Sequence, residues 1–442
     1  MLDKINDFLF PIIISVLCCS GVYLTYKLRF FQVKHLKSIL KAPISFDCKS
    51  GISSFSAMST ALAGTLGVGN IIGVATAICM GGPGAVFYMM VSAFFGMATK
   101  CVEICLSLLY KEKHNGKSIG GPMFYLKNAE KTGIFSVLFC ISCILSATIG
   151  SGNISQAGCA SKNLIETFNI NPWIISISFT LLTLYLIKGG IKKISSFMQI
   201  LTPVISIAFI VSMLIIIFKY QNNLSNVIAS IFKNAFNFKS FFGGTAGYSV
   251  SMAIRYGISR GVFSNEAGLG SSPIIYGATG GNPVKQGLCG AFEVFADTII
   301  IAFLTALVIL LDGNFTVGES GGMSLVNEIY GRFYGFGGSI FVSVIISLFA
   351  ISTVPGWFYY GERSVAYLSK ESKKAKNLYT LFFLVCVFLS SFISVDKIFP
   401  LADLCNYFMI IINSFGVLKL SGKAIKAINN YYNNSIKIKS KK

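Results

Sequence analysis

Charge is what this sequence has least of. Only 12% of its 442 residues are Asp, Glu, Lys or Arg, about half of the roughly 25% carried by soluble domains. Acids are scarcer than bases, 17 against 37, but the basic surplus is dealt out between long apolar runs instead of gathering in one patch, which excludes a nucleic-acid-binding face. The two histidines, His35 and His114, are too few for a His-based zinc site. The signatures HExxH, GxSxG and GxxxxGK[ST] are missing, and Gly116-Lys117-Ser118 has Lys111 where a phosphate loop needs its first glycine. No enzyme, catalytic residue or cofactor is therefore expected. The twelve cysteines lie mostly inside apolar runs without the spacing of a disulfide framework, so even Cys140 and Cys143, a CxxC pair, read as small buried apolar residues.

What the chain has in abundance is apolar surface. With 54% hydrophobic residues and a mean hydropathy of +0.70, it holds more than a water-soluble core can bury, and the expected class is an all-α polytopic membrane protein. Stretches of about 20 apolar residues fall at 8–26, 53–80, 85–109, 134–158, 173–187, 195–218, 240–262, 286–311, 337–361, 377–394 and 400–418, eleven in all. The leader carries Asp3 and Asp7 against Lys4, and the first run ends in Lys27 and Arg29 without a small-residue cleavage site, so it reads as a retained span with its N-terminus outside. On this count the loops beginning at Lys27, Lys111, Lys188, Arg255, Arg363 and Lys419 hold 29 basic residues and the opposite side 7. Basic loops stay in the cytoplasm, which places the chain in a bacterial inner membrane with its C-terminus inside. The tail after Lys419, rich in Lys and Asn, reads as a solvated or membrane-surface segment.

Spans 2 and 7 stand five apart and both carry glycine clusters. Five is odd, so one copy must run opposite to the other: an extra N-terminal helix within 1–30, a first five-helix repeat at 51–220, an inverted second one at 238–418, and a basic cytoplasmic tail at 419–442. Span 2 contains Ala63-Gly64-Thr65-Leu66-Gly67-Val68-Gly69-Asn70-Ile71, with no charged residue from Ile52 to Gly82. Each of its glycines costs a helix about 1 kcal/mol relative to alanine, and freed backbone within a membrane survives only where protein or a water-lined cavity satisfies it. A helix broken there offers carbonyls to a cation and amide groups to a carboxylate; packing through small residues is the competing explanation. Span 7 repeats the theme with Gly243-Gly244-Thr245-Ala246-Gly247.

Span 9 carries Ser352-Thr353-Val354-Pro355-Gly356-Trp357, hydroxyls that suit a sodium ion or simply bond their own backbone. In span 3, Lys100 and Glu103 are three apart and placed to neutralise each other. In span 8, Glu293 and Asp297 share a face without a local partner. Such acids act as proton carriers or ion ligands, or else orient the packed loops; both roles stay open.

Gly69-Asn70-Ile71, Gly81-Gly82-Pro83-Gly84-Ala85, Gly96-Met97-Ala98-Thr99-Lys100, Gly120-Gly121-Pro122-Met123, Phe263-Ser264-Asn265-Glu266-Ala267-Gly268 and Ser352-Thr353 with Trp357 together resemble the alanine or glycine:cation symporter family, from about Ser20 to Gly416. The resemblance implies sodium-driven uptake of a small neutral amino acid, alanine or glycine, within a LeuT-like inverted-repeat fold. By the same resemblance Thr65, Gly67, Gly69 and Asn70 would hold the substrate, with Gln156, Gly243, Gly244 and Trp357 completing its pocket. Carbonyls of Ala63 and Leu66, with Ser352 and Thr353, would form the sodium site. Leu66 and Val68 are bulkier than is usual for the family, and Pro355 removes a backbone donor where span 9 must hold its shape. A lysine standing in for sodium marks some proton-coupled relatives of the fold, whereas span 6 has none between Lys193 and Lys219. A proton-coupled carrier and a transporter-derived sensor are the alternatives.

Overall fold

In the computed structural model the described residues are 2–44, 52–114, 117–130, 132–236, 245–318, 322–393 and 395–439. They are almost entirely helical. The first helix, α1 (Leu2–Lys27), is followed by two short turns and then by α2 (Ser54–Thr65) and α3 (Ile72–Gly81), α4 (Gly84–Leu109), a small antiparallel hairpin of β1 (Glu112–His114) and β2 (Lys117–Ile119), and α5 (Pro122–Ala129). Next come α6 (Ile134–Thr148), α7 (Ile154–Phe168), α8 (Pro172–Ile187), α9 (Gly190–Lys219) and the amphipathic α10 (Leu224–Ala235). The remainder is α11 (Thr245–Asn265), α12 (Ser272–Tyr276), α13 (Pro283–Val294), a π-helical stretch Phe295–Ala302, α14 (Phe303–Asp312), α15 (Gly322–Tyr334), α16 (Phe336–Leu368), α17 (Lys373–Ser390) and α18 (Val395–Lys439).

Among the described residues six helices are long and apolar enough to cross a membrane, or seven when the bent pair α2 and α3 counts as one. The outward faces are greasy. On α9, Ile200, Val204, Ile207, Val211, Ile215 and Phe218 are all exposed at helical spacing, a stripe far too large and apolar for water and suited to lipid.

Four sequence expectations are corrected. The stretch 134–158 is two helices, α6 and α7, parted by Ile149–Asn153 and extending to Phe168. Arg255 and Arg260, assigned to a loop, lie inside the unbroken helix α11; removing them from the charge tally leaves the excess large. Pro355 does not deform its span, because α16 runs through it without a break. The tail, expected as a solvated or membrane-surface segment, is helical to Lys439 and partly packed in the protein: Ala424 and Ile428 are buried in the core, and Tyr432 stacks on His35 with ring centroids 3.6 Å apart.

Two apolar cores, one around α3, α9, α14 and α16 and the other around α1, α4, α12 and α18, flank a polar middle. Helices α11 and α13 both pack on α4. The first interruption lies against the end of α11, where Gly69 meets Phe263 and Ser264 just before the second.

Candidate functional site

Helix α2 ends at Thr65, and Leu66 and Gly67 are extended before a single 3₁₀ turn, Val68–Asn70, leads into α3 at an angle of 58°. In a continuous helix the N–H of Gly67 would serve the carbonyl of Ala63 and that of Val68 the carbonyl of Gly64. Here Gly67 N–H donates instead to Asn70 Oδ1 at 3.4 Å, and Val68 N–H donates to Gln156 Oε1 on α7 at 2.9 Å. The released carbonyls need other partners.

Thr353 on α16 supplies one. Its Oγ1 lies 2.8 Å from Ala63 O, 3.3 Å from Leu66 O and 2.9 Å from Phe349 O. Ser352 Oγ donates to Phe349 O at 2.7 Å. A hydroxyl has one proton, so Thr353 can satisfy only one of three carbonyls. The result is a convergence of five uncharged oxygens at a break in the backbone, all on buried residues. Ala63, Leu66, Ser352 and Thr353 were expected here; Phe349 was not. The signal was present, since a Ser or Thr in a helix turns back to the carbonyl three or four residues earlier.

On the other side of the same break, Asn70 Nδ2 donates to Asp297 Oδ1 at 2.9 Å and to Asp297 O at 3.0 Å. Asp297 Oδ2 accepts from Ser264 Oγ at 2.8 Å and Thr298 Oγ1 at 2.7 Å. Asp297 is thus a fully buried carboxylate whose hydrogen-bond partners are all neutral groups. Gly69 lies against Phe263 and Ser264, and a side chain at Gly67 would run into Gln156 and Thr353. Thr65 is buried beside them, with its hydroxyl donated back to Leu62 O at 3.1 Å.

The interruption expected at the glycine cluster of span 7 falls partly outside the described residues. Gly243 and Gly244 lie outside the described residues, and Gly247 falls within helix α11. The chain breaks between Asn265 and Ser272, where Glu266, Gly268 and Gly270 take φ of 54°, 85° and 83°. Lys100 Nζ donates to Asn265 O at 3.1 Å, a cation at the carbonyl end of α11. Lys100 pairs with Glu293 at 3.9 Å, both fully buried, rather than with Glu103, which accepts from Asn413 Nδ2 at 2.8 Å. Glu293 also accepts from the Tyr276 hydroxyl. Both span 8 acids therefore have partners, supplied by other helices. Trp357 is buried, its ring against Gly152 and edge-on to Tyr360, and its indole N–H donates to Glu266 Oε1 at 3.1 Å. It reaches the second break, as Thr353 one turn earlier reaches the first.

The family model described as the sodium:alanine symporter family matches residues 1–442. A Methanococcus maripaludis protein named sodium/alanine symporter AgcS is 36% identical over 453 residues, covering 99% of this chain and 98% of that one. A Bacillus subtilis protein named putative sodium/proton-dependent alanine carrier protein YrbD is 34% identical over 436 residues, covering 95% and 89%. Among solved structures, MhsT in complex with L-phenylalanine superposes with a TM-score of 0.61 at 13% identity over 87% of this chain and 93% of its own, a likeness of fold.

Proposed function

The chain belongs to the sodium:alanine symporter family, and from that premise we propose that it carries a small neutral amino acid, alanine or glycine, into the cell together with sodium by alternating access. The observation that carries this reading is the five-oxygen cluster of Ala63, Leu66, Phe349, Ser352 and Thr353. Hard, uncharged oxygens at a helix break fit a hard monovalent cation, and with Ser352 serving Phe349 O, the one proton of Thr353 cannot satisfy both Ala63 O and Leu66 O. The substrate belongs beside it. Its carboxylate faces the amide end of the break around Gly67, Gly69 and Asn70, with Thr65 and Gln156 beside it.

The preference for a small zwitterion follows from how tightly the break is packed, with Gly67 hard against Gln156 and Gly69 against Phe263. We further propose eleven spans in a bacterial inner membrane, N-terminus outside and C-terminus inside, built as two inverted five-helix repeats in a LeuT-like arrangement after α1. The fold likeness and the odd separation of the glycine clusters in spans 2 and 7 support it. Sodium and substrate use opposite ends of one interrupted helix, so each should favour the other.

A second reading has its own observation. Asp297 is a buried carboxylate with neutral partners at the same break, where a proton serves as well as a metal ion. Reconstitution in liposomes with labelled alanine and glycine, under a sodium gradient, a proton gradient or neither, separates the two. Accumulation that follows sodium supports the proposal. Accumulation that follows only protons replaces it with a proton-coupled carrier, and no counterflow at all points to a sensor.

A further inference from the structure

One turn of α16 touches both interruptions: Thr353 bonds the carbonyls freed at the end of α2, and Trp357 donates its indole N–H to Glu266 in the second break. Glu266 is tied on both of its oxygens, since Oε2 accepts the hydroxyl of Ser271 on the far side of the same interruption. Its backbone φ of 54° lies in the left-handed region that non-glycine residues enter rarely, and such a conformation persists only where its surroundings over-determine it. The indole is itself held in place. A Cβ on Gly152 would run into the ring, and Tyr360 covers it edge-on at 5.5 Å. Gly152 sits in the linker between α6 and α7, one turn before Gln156, which clamps Val68 in the first break.

We infer that Glu266 is a positioning residue that couples the ion to the substrate: through Trp357 it makes the second break adopt its closed shape only when α16 is drawn onto the oxygens of the first. This rests on the symport reading above. A cation bound among Ala63, Leu66, Phe349, Ser352 and Thr353 fixes the position of α16 relative to α2. Trp357, four residues on and wedged against Gly152, moves with that helix as a rigid lever. The hydrogen bond to Glu266 then sets the geometry from Asn265 to Ser271, whose preceding residues Phe263 and Ser264 lie on Gly69 and therefore on the substrate side of the first break. What the bond transmits is geometry rather than charge, because its donor, the indole N–H, is neutral. By linkage, a bond formed only when both ligands are present raises the affinity for each by the same factor.

The test measures equilibrium binding of labelled alanine to the full chain in liposomes, without sodium and at saturating sodium, and takes the ratio of the two dissociation constants. Trp357→Phe keeps the ring in its slot and removes the N–H; Glu266→Ala removes the acceptor. Each is expected to cut the sodium-induced tightening by about tenfold, within the range of coupling between sites, and the two together no further than either alone. Glu266→Gln, whose amide oxygen still accepts from the indole, is expected to retain it. A wild-type ratio in Trp357→Phe overturns the inference, as does a Gln variant as damaged as the Ala variant, which would make the charge the operative feature. If Glu266→Ala fails to fold, Trp357→Phe decides alone, with monodispersity on gel filtration as the control. Sodium without effect on alanine binding to the wild type, by contrast, sinks the symport reading itself and this inference with it.

Discussion

Arg260 on α11 and Asp403 on α18 form a two-pronged ion pair, Nη2 to Oδ2 at 2.8 Å and Nη1 to Oδ1 at 3.5 Å, with the two side chains only 8% and 11% exposed. The guanidinium also lies 5.6 Å from the ring of Phe263, which rests on Gly69 in the first break. Through that ring the pair borders the proposed substrate position. Replacing Arg260 by Gln removes the cation paired with a buried carboxylate, and breaking such a pair costs roughly 3 to 5 kcal/mol in whichever state buries it. Arg260→Gln should therefore slow labelled-alanine uptake at least about tenfold, and the double variant Arg260→Asp with Asp403→Arg should recover part of the loss. Wild-type uptake in the single variant would show that this contact does not change during transport.

Asp297 gives a sharper test of what the intramembrane acids do. Its oxygens accept from Asn70 on one side and from Ser264 and Thr298 on the other, and an amide at that position keeps only one accepting oxygen for the two sides. Hydrogen bonds to a charged group contribute about 1.5 to 3 kcal/mol each. Asp297→Asn should thus abolish most uptake while the protein remains folded, and Asp297→Glu should keep a measurable fraction with altered sodium dependence. Full activity in the Asn variant would relegate Asp297 to packing.

Much of the first break was legible because its cause is local. Three glycines between Gly64 and Gly69 are poor helix formers, and the hydroxyls at Ser352 and Thr353 have few roles in an apolar helix other than bonding carbonyls. The same local criterion pointed to Gly243 to Gly247, where Gly243 and Gly244 lie outside the described residues, and it gave no sign of the break at Glu266. That position is held by Trp357 and Ser271, bonds that local composition does not encode. Lys100 illustrates the same limit. Its nearest acid along the helix, Glu103, was the natural partner by spacing, but α4 meets α13 in the fold and Glu293 takes the contact.

The proposed orientation makes a separate prediction. Lys113 in the β1–β2 hairpin and Lys192 and Lys373 at the starts of α9 and α17 are exposed, while Thr316 is exposed beyond Asp312, past the end of α14. Single cysteines at the three lysine positions, in a background where the native Cys18 and Cys19 are replaced, should resist a membrane-impermeant maleimide in intact cells and react after lysis. A cysteine at Thr316 should react in intact cells. Labelling of any of the lysine positions from outside would overturn the eleven-span topology.

The last prediction separates two glycines six residues apart. A Cβ on Gly67 would stand 2.5 Å from Gln156 Oε1 and 3.1 Å from Thr353 Oγ1, so it meets the clamp on Val68 and the hydroxyl of the oxygen cluster at once. Gly67→Ala should push Gln156 off Val68 and displace Thr353, raising the sodium concentration for half-maximal uptake about tenfold, the size of a lost polar contact of roughly 1.4 kcal/mol. At Gly73, inside α3, the nearest atom to a new Cβ is Arg260 Cδ at 4.0 Å, which is ordinary contact. Alanine is preferred there over glycine by about 1 kcal/mol in a helix, so Gly73→Ala should leave sodium dependence unchanged and raise the melting temperature. The pair therefore distinguishes damage to the site from a general intolerance of added bulk in the interrupted helix. Equal sodium dependence in both variants would mean that the oxygens gathered at Thr353 do not bind the ion.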